Sequence, residues 1–141
     1  MRLLAITAEL HVFDGATNWA QPLRLGVSIA GRDFIRICER RGDSIHFDSQ
    51  PLEEANLGEG GRVEIYDITA RVSPALRNRE IGAPRVIHDG GGRPIGLALP
   101  FVRGGAFCLW VNDDEFYWGD EAALRSAAFT EGVRPVIGRR L

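Results

Sequence analysis

Lysine is absent. All 17 basic residues of this 141-residue chain are arginines, set against 19 acids for a net charge of −2. That balance gives no electrostatic case for nucleic acid or for an anionic membrane surface. Cysteine is scarce too. Cys38 and Cys108 each fall inside an apolar strand pattern, and two thiols make no disulfide framework, so a reducing, cytoplasmic setting is expected. Long apolar runs are missing as well. The first run breaks at Glu9, too short for a signal-peptide core of about 7–15 residues. The longest, Ile95 to Val111, is cut by Arg103, Gly104 and Gly105, short of the ~20 residues a spanning helix needs. His11, His46 and His88 are dispersed, and none has a second histidine or cysteine at metal-ligand spacing. Neither a metal nor a cofactor is expected. No Gly-x-Ser-x-Gly elbow exists, and the glycines after His88 follow a strand without opening a helix, which reads as a hairpin loop.

What is present is strand. Leu4, Ile6, Ala8, Leu10 and Val12 alternate with polar residues up to an Asp14-Gly15 turn, the period of a strand with one buried face. Leu23, Leu25, Val27 and Ile29 repeat the pattern. Strands over Phe34 to Arg40 and Ser44 to Asp48 then complete a meander. A strand from Arg62 to Ile68 follows, and Arg85 to His88 is a short one. Pro94 to Val102 and Ala106 to Val111 are apolar on both faces, which suits central strands covered on both sides. Glu115 to Trp118 continues the sheet, and Val133 to Ile137 reads as an edge strand.

Helix is sparse. Gly119-Asp120-Glu121 opens one convincing helix near 120–130, with acids at its positive end. Short helical turns are expected near 51–57 and 74–80, each opened by a proline. The fold class is therefore mainly β (α+β): an antiparallel meander sheet curled into a sandwich or open barrel, in a single β-rich domain spanning 1–141.

The meander has two possible registers. Gly31-Arg32 and Gly42-Asp43 suit two-residue hairpin loops, but those would bury Arg36 and Arg40 beside Val27 and Leu23. Three-residue loops set Ile29 beside Ile35, Val27 beside Ile37 and Ile37 beside Phe47. Burying one such aliphatic contributes ~1.5–3 kcal/mol, so the second register is expected. On the other face, Gly26 then lies opposite Cys38, Cys38 opposite His46, and Arg36 opposite Asp48. Gly26 would leave a shallow pit beside the thiol.

Two sets of functional residues follow. Cys38, His46, Asp48 and Arg36 form the smallest constellation for nucleophilic catalysis, an imidazole able to take a thiol proton beside a carboxylate. The bland alternative is a buried apolar cysteine next to a cross-strand ion pair. The second set is Asp113, Asp114, Glu115, Tyr117 and Trp118, where acids crowd around aromatics. Alternation sends Tyr117 to the side opposite Phe116 and Trp118. Aromatic anchors with an acidic rim suit a protein interface with a basic partner. The stretch lacks the ligand spacing and central glycine of a calcium loop. Arg32, Arg36, Arg40 and Arg41 are interleaved with acids and have no aromatic series for base stacking, so nucleic acid is not expected.

The expectation is a small non-catalytic module that binds another protein, of the adaptor or immunity kind, through the acidic and aromatic surface. The alternative is a small enzyme or ligand-binding protein with a pocket on the polar sheet face. A partner protein is expected, and no membrane.

Overall fold

A computed structural model describes residues 1–127 and 135–141. The chain divides into two compact units. One comprises Arg2–Cys38 and Phe47–Arg79, the other Met1–Met1, Glu39–His46 and Glu80–Leu141. Both are built on antiparallel sheet, and among the described residues neither sheet closes into a barrel. The mainly β expectation holds.

The strands of the first sheet are β1 (Leu3–Phe13), β2 (Ala16–Thr17), β3 (Arg24–Ile29), β4 (Ile35–Arg40), β5 (Ser44–Asp48), β6 (Ala55–Asn56) and β7 (Arg62–Asp67). Their order is β5-β4-β3-β1-β7-β6, with β2 on β1. Alternation explains the burial: Ile6, Ala8 and Leu10 share the apolar side with Leu25, Val27, Ile35 and Ile37. After β7 comes one helical turn, α1 (Thr69–Val72). Buried Thr69 ties it to β1, its hydroxyl accepting the Ile6 N–H at 2.9 Å and donating to Asp67 at 2.6 Å.

The register of β3 on β4 differs from the expectation by two residues. Val27 pairs with Ile35, Leu25 with Ile37, Gly26 with Arg36 and Arg24 with Cys38. The faces are as expected, aliphatics together and arginines on the other side. The connection is longer, because Ala30 to Phe34 stay outside the strands and the Ala30 N–H is spent on Arg2 O at 2.9 Å. Phe34 then folds back so that its ring lies where a side chain of residue 26 would stand. The pit expected at Gly26 is filled by this ring.

Two helical turns also fall elsewhere than expected. Over 51–57 the chain is extended and ends in β6, with one turn of 3-10 helix only at Gly58–Gly60. The Glu53 N–H donates to the buried Glu9 carboxylate at 2.8 Å, which removes it from any helical ladder. Over 74–80 there are turns and no helix; the helical turn is α1, earlier in the chain. There Asn78 N–H bonds Leu3 O, and Arg79 O accepts from Leu3 N–H, so backbone groups serve β1 instead.

The sheet of the other unit has the order β11-β10-β9-β8-β12, from β8 (Arg85–His88), β9 (Pro94–Pro100), β10 (Ala106–Asn112), β11 (Glu115–Asp120) and β12 (Val136–Arg140). β9 and β10 are central and buried almost throughout, as two-sided apolar strands should be. Helix α2 (Glu121–Ser126) starts where expected, with the Asp120 side chain accepting the Ala123 N–H at 2.7 Å. It is shorter than expected, since Ala127 leaves it in extended conformation. Gly119 lets it sit close, because a Cβ there would lie 2.8 Å from that of Ala123. The remainder of the expected helix, and Val133 and Arg134 of the expected edge strand, lie outside the described residues. Among the described residues no helix is long and apolar enough to cross a membrane.

Candidate functional site

The β4–β5 hairpin carries the first set of candidate residues on the polar side of its sheet. Arg36 forks onto Asp48, Nε to Oδ1 and Nη2 to Oδ2, both at 2.7 Å. Such a bidentate charged pair is the strongest hydrogen-bonding geometry available to a carboxylate. It holds the guanidinium charged, and Asp48 Oδ1 also accepts the Gln50 N–H at 3.0 Å. Within the hairpin, Cys38, His46 and Asp48 each offer a donor atom, all within 4.8 Å of one another. The sequence-derived constellation is therefore brought together.

Its chemistry is set by burial. Desolvation pushes the Cys38 thiol up, outweighing the opposite pull of Arg36. A thiol raised in this way is protonated at neutral pH, the reverse of an activated nucleophile. A borderline divalent cation would suit a thiol, an imidazole and a carboxylate, but Arg36 already supplies positive charge to both Asp48 oxygens. A groove of about 290 Å³ on the same unit is lined by Thr7, Phe34, Ser49, Pro51, Leu52 and Ile65. That is the lower limit for a small-molecule site, and no titratable side chain lines it.

The second set lies on the β10–β11 hairpin. Asn112 pairs with Glu115, so the loop is Asp113 and Asp114 alone. Both are left-handed, with φ of 55° and 68°. This is the twist that a two-residue hairpin requires, and the usual residues for it are Asn-Gly. The Asp114 N–H bonds Gly42 O at 2.8 Å, and its carboxylate covers Gly42 where a Cβ would stand. Phe116 is buried, Trp118 is half-buried and Tyr117 is 39% exposed. The Tyr117 ring stacks on Trp110 at 6.3 Å between centroids, and its hydroxyl donates to Glu115 Oε2 at 2.7 Å, which raises the phenol.

Three acids of this hairpin are adjacent in the chain. Several acids elsewhere meet arginines: Glu9 with Arg24, Asp48 with Arg36, Asp67 with Arg77, Asp43 with Arg93, Glu121 with Arg125. Asp113, Asp114 and Glu115 are exposed and, among the described residues, have no arginine beside them. Sequence reasoning named these residues but missed Trp110 as the ring beneath Tyr117 and Gly42 as the seat of Asp114. The first was legible in principle, since a hairpin around Asp113-Asp114 sets 110 opposite 117. The second has no local signal.

Comparison with protein-family models, with curated proteins and with solved structures finds no match.

Proposed function

We propose that the protein is a non-catalytic binding module whose partner is another protein, docked through a basic segment on Asp113, Asp114, Glu115, Tyr117 and Trp118. The observation that carries this reading is the row of exposed acids without arginine partners beside a part-exposed tyrosine. A second feature supports it. Two aspartates occupy a loop whose backbone favours Asn-Gly, and neighbouring like charges add repulsion. Strained backbone clusters at binding and switch sites, which is what this feature adds to the reading. The setting in this reading is the reducing cytoplasm, which suits two free, buried thiols.

The test is affinity capture followed by mass spectrometry, comparing the wild-type protein with the isosteric Asp113→Asn, Asp114→Asn, Glu115→Gln triple variant. A partner retained by the first, lost by the second and released by salt is the expected result, because exposed charges are screened within ~10 Å at 0.1 M. If every captured protein binds the triple variant equally, the reading fails.

A thiol-dependent enzyme using Cys38, His46, Asp48 and Arg36 is the second reading, and the convergence of the first three donors favours it. The raised thiol weighs against it.

A further inference from the structure

The outer edge of β11 is the feature that this reading leaves unused. β11 is a terminal strand of its sheet among the described residues. Its six ladder pairs with β10, from Asn112–Glu115 to Phe107–Asp120, run without a register shift. A two-residue loop closes on a hydrogen-bonded pair, so Glu115, Tyr117 and Gly119 turn their backbone groups towards β10. By the same alternation, Phe116 and Trp118 point theirs away from the sheet.

Edges of this kind are usually blunted by a bulge, a proline, brevity or charged side chains. The opposite edge of the same sheet is blunted, since β12 shifts register between Ile137 and Arg140. β11 has neither bulge nor proline. What it carries is acid: Asp113, Asp114 and Glu115 at one end and Asp120 at the other. In an antiparallel pairing of β11 with its own copy, acids of the two ends would meet, which opposes self-association. The same charges favour a basic strand.

We infer that β11 accepts an extended, arginine- or lysine-bearing segment of a partner protein as an added antiparallel strand. The inference rests on the binding reading above and specifies its mode. Phe116 and Trp118 would exchange backbone hydrogen bonds with the segment, which gives affinity without sequence demands. Side chains of the added strand alternate. On the side of Glu115 and Tyr117, a guanidinium can pair with the carboxylate and lie over the ring. On the side of Phe116 the segment presents apolar residues. A basic–apolar alternation is therefore the recognised pattern.

The probe is a short, capped peptide of alternating arginine and valine, compared with the same peptide carrying N-methyl groups on alternate amides so that one edge cannot donate. Binding is read by calorimetry, and hydrogen exchange at the Phe116 and Trp118 amides by NMR. The parent peptide is expected to slow exchange at both amides. N-methylation is expected to weaken binding by about ten-fold or more, as losing two backbone hydrogen bonds implies. Equal binding of the two peptides overturns strand addition while leaving the acidic turn as the docking surface. Protection that grows with protein concentration in the absence of peptide overturns it in favour of a second copy as occupant. Failure of both peptides to bind overturns it as well, and the triple-variant capture then decides separately whether the turn binds a partner at all.

Discussion

Removing Arg24 should destabilise the protein more than removing the charge of its partner, Glu9. The two are cross-strand neighbours on β1 and β3, with Arg24 Nε at 3.0 Å from Glu9 Oε1. They are not equivalent. The Glu9 carboxylate is 2% exposed, whereas the Arg24 side chain is 39% exposed. In Arg24→Met the carboxylate stays buried with the Glu53 N–H to Oε2 as its remaining described donor. Leaving one partner of a buried pair uncompensated costs about 3–5 kcal/mol. In Glu9→Gln the guanidinium can turn to water, and the Glu53 N–H keeps an oxygen acceptor. The loss is then the difference between charge-assisted and neutral hydrogen bonds, about 1–2 kcal/mol.

The double variant decides the matter. With the buried charge gone, Arg24→Met on the Glu9→Gln background removes little more than aliphatic packing. The double variant should therefore lose about 1–3 kcal/mol less stability than Arg24→Met alone, a departure from additivity close to the whole cost of Arg24→Met. Urea unfolding followed by tryptophan fluorescence gives each value from the midpoint at constant slope. Additive singles, or an Arg24→Met variant within about 0.5 kcal/mol of wild type, would refute the argument. The consequence reaches beyond the pair. Glu9 fixes Glu53, and Leu52 next to it lines the groove at Phe34.

Three further outcomes follow from the geometry. Replacing Asp113-Asp114 by Asn-Gly relieves a left-handed aspartate and a like-charge run, so the unfolding free energy from urea titration should rise by about 1 kcal/mol while partner capture is lost; a fall would show that the seat of Asp114 on Gly42 outweighs the turn. Iodoacetamide should label Cys38 slowly at neutral pH, with its rate inflecting above the ~8.5 of a free thiol, and rapid labelling below that pH would revive the nucleophile reading. Burial pushes Cys108 up to about 12. The unfolded thiol ionises first, so the stability present below its own ~8.5 is lost as pH rises, by up to about 1.4 kcal/mol per unit. Cys108→Ala should flatten the alkaline slope between about pH 9 and 11, and an unchanged slope would place the loss on other groups.

The sequence carried the strands because their signals are local. Two-sided apolar runs announced β9 and β10, alternation announced β1 and β3, and Asp120 before Glu121 announced the start of α2. Parity survived even where register did not: Ile35 and Ile37 share a face with Val27 although each pairs two residues away from its expected neighbour. What escaped was decided by groups distant in the chain. Nothing in Ser49 to Glu54 reveals that a carboxylate on β1 takes the Glu53 N–H and straightens a prospective helical turn. Nothing in the Ala30–Phe34 connection reveals that its last ring belongs over Gly26. The thiol, imidazole and carboxylate were legible as neighbours, and the buried apolar cysteine offered as the alternative is what the structure shows.

The proposed binding role rests on the arrangement of charge more than on any single residue. Arginine is the basic side chain that forks onto carboxylates, and here it is the only one. Arg36, Arg24 and Arg77 hold acids on or beside the strands, and Arg125 holds Glu121 at the start of α2. Asp113, Asp114 and Glu115 instead stand together, in no ion pair with arginine among the described residues, on a turn whose second position favours glycine. Three adjacent acids beside a regular strand that is terminal in its sheet among the described residues are the features on which the proposed docking of a cationic partner rests.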